Sequence, residues 1–200
     1  MSSETQPDVF IIESNDLDDE RGGYSEGQLL CQILRMMDKQ PQYYYIRTKR
    51  ELRAMAAQFE KSRFRYLHFA CHGNSQSFGL TLDSVSFHSF AEYFRPVAIR
   101  RRIFLSACEV AQTELAKEFF RDHDSSPYSI TGPTENIRFC DAAAIWASVY
   151  NLLFRDDSKG IEGSRLRDHL GKLCELNEVS FVHFGRIRKP PYYREFGLSQ

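Results

Sequence analysis

Apolar positions along this chain change their period repeatedly, and each change predicts a switch between strand and helix. Val9-Phe10-Ile11-Ile12 is an unbroken apolar run that predicts a buried strand over residues 8–13, followed by a polar loop over 14–21. From Ser25 onward the spacing becomes helical. Leu29, Leu30, Ile33, Leu34 and Met37 share one stripe, and Ser25 and Gln28 have the spacing of a capping box. Residues 42–47, with Tyr43-Tyr44-Tyr45-Ile46, predict a second strand, and Thr48 with Glu51 caps a helix carrying Leu52, Met55, Ala56 and Phe59 on one face. A third strand over 66–70 ends at Cys71-His72-Gly73. After a hairpin over 78–87 and a short helix over 88–94, a fourth strand over 103–107 ends at Cys108.

Helical spacing resumes directly after Cys108 through Ala111, Leu115 and Phe119. A fifth strand over 128–131 and a Gly132-Pro133 turn lead to an apolar stripe of Ala142, Ile145, Trp146, Val149, Leu152 and Leu153. A charged loop over 155–163, a helix over 164–176, a strand over 179–184 and a Pro-containing tail over 188–200 complete the pattern. Strands separated by helical crossovers require parallel neighbours. The fold class expected is therefore an α/β three-layer sandwich, a mostly parallel central sheet of about six strands with helices on both faces, formed by residues 1–200 as a single domain.

Composition and charge narrow the function. Hydrophobic residues make up 42% of 200 residues, enough for a core of its own. Lys plus Arg total 26 against 27 Asp plus Glu, a net charge of -1 that argues against binding nucleic acid by phosphate neutralisation. Arg100-Arg101-Arg102 then reads as a solvated face ahead of a strand. Five scattered cysteines without a CxxC pair suit free thiols in a reducing compartment. The polar residues 1–6 do not resemble a signal peptide, and the longest apolar run, 142–154, is shorter than the ~20 residues that span a bilayer. A cytoplasmic protein without membrane contact is expected.

Ligands of parallel sheets bind beyond the carboxyl ends of the strands, so the residues at those ends carry the candidate chemistry. Two ends stand out: His72-Gly73 after the third strand and Cys108 after the fourth. A thiol and an imidazole brought together there match the needs of acyl transfer, in which thiolate attacks a carbonyl carbon and imidazole protonates the departing amine. Gly73 lets its backbone N–H approach a substrate oxygen, and with the Cys108 N–H it forms a candidate oxyanion hole. A helix beginning at Cys108 would also lower its thiol pKa, with Glu109 opposing. A zinc site from Cys71, His72 and Cys108 lacks a fourth ligand at a recognisable spacing, so no metal and no cofactor are expected.

The strings Leu67-His68-Phe69-Ala70-Cys71-His72-Gly73 and Phe104-Leu105-Ser106-Ala107-Cys108-Glu109 resemble the two signature segments of the CHAT family, caspase-like peptidases related to separase and caspases. The tract Ile130-Thr131-Gly132-Pro133, followed by Asp141-Ala142-Ala143-Ala144, is similar to the family's segment after the fifth strand. The resemblance implies a caspase-like fold and a cysteine endopeptidase with His72 as general acid/base and Cys108 as nucleophile. It also implies that Ser106, two residues before the nucleophile, lines the pocket for the residue preceding the cleaved bond. Ser106 brings no charge, so this position is not expected to dominate the pocket. Asp141 is a candidate acid for a basic substrate side chain or, alternatively, a helix N-cap. His68 and the four remaining cysteines read as packing.

The partners expected are a protein or peptide substrate and a separate regulatory or sensor protein, with a role in prokaryotic defence or programmed cell death implied by the resemblance. The segments 16–21 and 155–163 are candidate docking or processing sites. Two rival classes use the same sheet: a non-catalytic interaction module that recruits a partner protein, and a thiol hydrolase or transferase acting on a small molecule.

Overall fold

The structure is a computed structural model and describes residues 5–155 and 162–198. Its main sheet has the order β2-β1-β3-β6-β7-β8-β9. Strands β1 (Gln6–Ser14), β2 (Gln42–Tyr45), β3 (Phe64–Gly73), β6 (Arg102–Ser106) and β7 (Ser129–Pro133) are parallel. Strands β8 (Phe181–Arg186) and β9 (Tyr193–Leu198) close one side antiparallel. The predicted hairpin is present as β4 (Ser77–Gly79) and β5 (Ser84–Ser86), attached to the end of β3. Within the predicted Pro-containing tail, residues 193–198 form β9, which extends the sheet, and Leu198 is buried.

Alternation along the pleat sorts side chains into two cores. Leu67, Phe69 and Cys71 of β3, with Ile103 and Leu105 of β6, join the core packed under α3 (Lys49–Ser62), α4 (Phe87–Phe94) and α5 (Thr113–Phe119). Tyr66 and Phe104 join the core under α2 (Glu26–Met36), α6 (Phe139–Arg155) and α7 (Gly163–Asn177). The three-layer α/β arrangement is the one the sequence predicts. Among the described residues no helix is long and apolar enough to cross a membrane.

Local corrections have physical causes. Helix α3 has the predicted capping box, with Thr48 accepting from the Glu51 amide and Glu51 accepting from the Thr48 amide. Helix α2 does not: the Ser25 hydroxyl donates to Glu13 Oε2 and makes no cap. The polar stretch after β1 folds as α1 (Leu17–Gly22), capped by Asp16 and closed by left-handed Gly23. Most of the predicted loop 155–163 lies outside the described residues. Arg101 is buried rather than solvated, donating to the Phe59 carbonyl at 2.6 Å with its guanidinium 4.3 Å from the Phe59 ring centroid.

Candidate active site

The register of β3 and β6 fixes the placement of the site. The last pair on the ladder is Ala70 with Ser106, so His72 and Cys108 lie two residues beyond it on adjacent parallel strands, both on the α2/α6 face. They line one small cavity of about 30 Å³ together with Glu26, Ser106, Ile137 and Phe139. Cys108 is partly exposed, and its Sγ lies 3.5 Å from the Ile137 amide and 3.6 Å from the Ile137 carbonyl. Cys71, one residue before His72, alternates into the opposite core, where burial, reinforced by the Glu26 and Cys108 charges, pushes its thiol well up.

Cys108 does not start a helix. Glu109 has φ 58°, in the left-handed region that a continuing helix excludes, and its backbone is held there by its own amide donating to the Glu135 carbonyl and by Gln112 Nε2 donating to its carbonyl. Helix α5 begins only at Thr113. A helix dipole therefore does not act on the thiol. Gly73, by contrast, is required sterically: a Cβ there would stand 2.3 Å from Val110 Cγ1 and 2.9 Å from the Cys108 carbonyl oxygen. The close approach of the two strand ends depends on this glycine.

His72 has a partner that sequence reasoning missed. Its Nε2 lies 2.5 Å from Asp19 Oδ2 and 3.5 Å from Asp16 Oδ2. Helix α1 delivers both acids, and Glu20 pins that helix to the end of β2 through Tyr45 (2.5 Å) and Arg47 (2.6 Å). The segment 16–21 is thus tied to the site through Asp16, Asp19 and Glu20. A proton on the Nε2 that faces this carboxylate would leave Nδ1 as the acceptor nitrogen of the ring. Phe139 packs edge-on against the imidazole at 5.6 Å. The Asp19 amide, capped by Asp16, holds the Asp16 carboxyl below its usual range, with the His72 charge acting the same way.

Among the described residues, Asp16, Asp19 and His72 are the group whose ligand atoms gather closely enough for a metal ion, within 4.8 Å of one another. An ion there would occupy the nitrogen that Asp19 orients.

A second missed residue is Glu26. It is 5% exposed, and its two oxygens are taken by His68 Nε2 at 3.1 Å and by the Ser106 hydroxyl at 2.8 Å. His68 is in turn bonded to Tyr150 and fully buried, the core histidine that the sequence suggests. Ser106 brings no charge of its own but positions a carboxylate that does. Glu26 and Phe139 also line an adjoining groove of about 530 Å³, whose walls include Tyr24, Leu29 and Ala143. Asp141 lies in neither hollow; it forms a bidentate pair with Arg138 at 2.7 and 3.0 Å inside the first turn of α6, so it is not an N-cap. Cys140 is exposed and lines the groove, whereas the sequence had it packed; Cys31 and Cys174 are buried as expected.

No family model matches the sequence, and no curated protein matches it. Solved structures do. The crystal structure of the Arg-specific cysteine proteinase gingipain R (RgpB) superposes with a TM-score of 0.59 at 10% identity, covering 86% of this chain and 43% of that chain. The chain thus spans less than half of the proteinase it matches. The likeness is one of fold, and it gives this chain a caspase-like α/β fold with an open, mostly parallel sheet.

Proposed function

We propose that this protein is a CHAT-like cysteine endopeptidase acting through His72 and Cys108. The observation that carries the reading is the meeting of both side chains in one cavity, with Asp19 on the far ring nitrogen. Imidazole Nδ1 takes the Cys108 proton, the thiolate attacks the peptide carbonyl carbon, and the same nitrogen returns the proton to the departing amine. Water then releases the acyl group from the thioester, with His72 as its base. The Gly73 and Cys108 amides serve as donors to the oxyanion, a contribution of about 2.7–4 kcal/mol for each such donor. Asp19 is a positioning residue.

The adjoining groove takes the side chain that precedes the cleaved bond. Its lining joins Tyr24, Leu29, Phe139 and Ala143 to the carboxyl groups of Asp19 and Glu26, so an Asp or Glu side chain would bring a further carboxylate against them and is rejected. Free thiols on all five cysteines support action in a reducing cytoplasm. The substrate is a protein, activity is governed by a separate sensor protein, and a role in defence or programmed death follows from the CHAT resemblance.

A peptidyl acyloxymethyl ketone followed by mass mapping tests this reading. Labelling falls on Cys108 and disappears in His72→Ala. Labelling of Cys140 or Cys71 with Cys108 untouched would overturn the assignment, and absence of labelling in the wild type would favour the non-catalytic interaction module.

A further inference from the structure

The dyad cavity and the adjoining groove are separate hollows that share two residues, Glu26 and Phe139. Acyl transfer needs them joined. The scissile carbonyl has to stand about 3–3.5 Å from the Cys108 thiol while the side chain before it occupies the groove. A cavity of about 30 Å³ has room for about two water molecules, whereas the groove of about 530 Å³ holds a side chain with ease. Some part of the wall between them has to move before a peptide can lie across both.

The two shared residues differ in what holds them. Glu26 is buried and fixed through both oxygens, one to His68 and one to the Ser106 hydroxyl. Phe139 is the first residue of α6 and half-buried, and its ring rests on two others. The His72 imidazole meets it edge-on at 5.6 Å, and the Tyr24 ring stacks on it at 5.8 Å with 17° between the planes. Tyr24 closes this stack from outside. Its backbone is pinned behind left-handed Gly23, its amide donating to the Asp19 carbonyl at 3.1 Å and its carbonyl accepting from Asn15 Nδ2 at 2.6 Å, yet the residue is 56% exposed. The stretch ahead of Phe139 also reaches the nucleophile, because the Cys108 thiol donates to the Ile137 carbonyl at 3.6 Å. One short segment therefore carries both the ring on the imidazole and the acceptor of the thiol proton.

We propose that Phe139, backed by Tyr24, is a gate between the groove and the dyad, closed in this structure, whose opening joins the two hollows into one cleft. The proposal rests on the peptidase reading for what the gate admits, a peptide, and on the ring contacts for how it shuts. Swinging the Phe139 ring away gives up two aromatic contacts, and each such pair shifts an equilibrium by about 2- to 12-fold. The closed form lowers the apparent affinity for a peptide in proportion to the open fraction, which keeps basal activity low until the rings part.

Second-order labelling rates at Cys108, read by mass mapping on the full chain, test the gate with two reagents. Iodoacetamide is small enough to reach a partly exposed thiol directly, whereas a peptidyl acyloxymethyl ketone has to fill groove and dyad together. The peptidyl rate is expected to rise about tenfold in Phe139→Ala, which loses both ring pairs, and about threefold in Tyr24→Ala, which loses one, with the iodoacetamide rate within about twofold of wild type in both. Tyr24→Ala carries the test alone if the melting curve of Phe139→Ala shows that it does not fold. Peptidyl rates unchanged or lowered in Tyr24→Ala would overturn the gate, as would equal acceleration of both reagents, which places the effect on thiol chemistry. The peptidase reading fails separately: acceleration by Tyr24→Ala that persists when His72→Ala is added supports the gate and removes the imidazole from catalysis.

Discussion

On the proposed mechanism, the carboxylate 2.5 Å from His72 Nε2 leaves Nδ1 as the ring nitrogen that acts. If Asp19 only orients the imidazole, its conservative replacement lowers turnover without altering how substrate is held. Asp19→Asn should therefore reduce kcat about 10- to 100-fold, as loss of an orienting partner of a functional histidine does, with KM little changed. A steady-state comparison on a peptide substrate checks this, and a rise in KM at constant kcat would assign Asp19 to substrate binding instead. His72 and Cys108 were legible because each follows an apolar run whose end is easy to locate. Asp19 was not: Asp16-Leu17-Asp18-Asp19-Glu20-Arg21 has no apolar period, so nothing in it signals a helix aimed at the site. Glu26 was hidden differently, since an acid in a helix's first turn ordinarily faces solvent and here it is buried, bonded to His68 of β3 and Ser106 of β6.

Elements set the geometry that these residues use. The ends of β3 and β6 approach so closely that Gly73 has no room for a methyl group, and one of the obstructing atoms is the backbone carbonyl of Cys108 itself. Gly73→Ala must push the nucleophile's backbone away or leave Val110 displaced. Overpacking of this kind costs about 1–3 kcal/mol, with the melting temperature falling about 2–4 °C for each kcal/mol in a chain of this size. Activity should fall about 100-fold, because a shift near 1 Å at the reacting groups is enough for that. Differential scanning calorimetry beside a peptidase assay separates the two losses, and an alanine variant with wild-type activity would mean that the strand ends tolerate separation. The order of strands and helices followed from hydrophobic period, as the β1-α2-β2-α3-β3 succession illustrates. The helix start after Cys108 did not, because Val110, Ala111 and Leu115 are buried on both readings and only the left-handed turn at Glu109 distinguishes them. Strand β9 escaped for a similar reason: Tyr193, Phe196 and Leu198 are spaced by Arg194, Glu195 and Gly197 and follow two prolines, a pattern that reads as a tail until β8 offers an edge to pair with.

At the scale of the molecule, a net charge near zero conceals a strong polarity. Arg102, Arg167, Arg186 and Arg188 gather at the amino edge of the parallel strands. At the carboxyl edge, α1 presents Asp18 and Asp19 in its first turn with Asp16 as its cap, Glu26 lines the groove, and Glu20 is paired with Arg47. A peptide approaching the proposed dyad is therefore expected to meet a negative field, and one approaching the opposite edge a positive one. Flanking lysines placed away from the cleaved bond should accelerate capture by the catalytic edge, and flanking glutamates should retard it. Screening supplies the test, since the Debye length contracts from about 30 Å at 0.01 M salt to about 3 Å at 1 M. Over that range kcat/KM for a lysine-flanked peptide should fall about tenfold or more, that for a glutamate-flanked peptide with the same cleaved bond should rise, and a neutral one should stay nearly constant. Parallel behaviour of all three would show that salt acts on the enzyme's fold or chemistry, and the charge separation between the two edges would then have no part in selecting substrates.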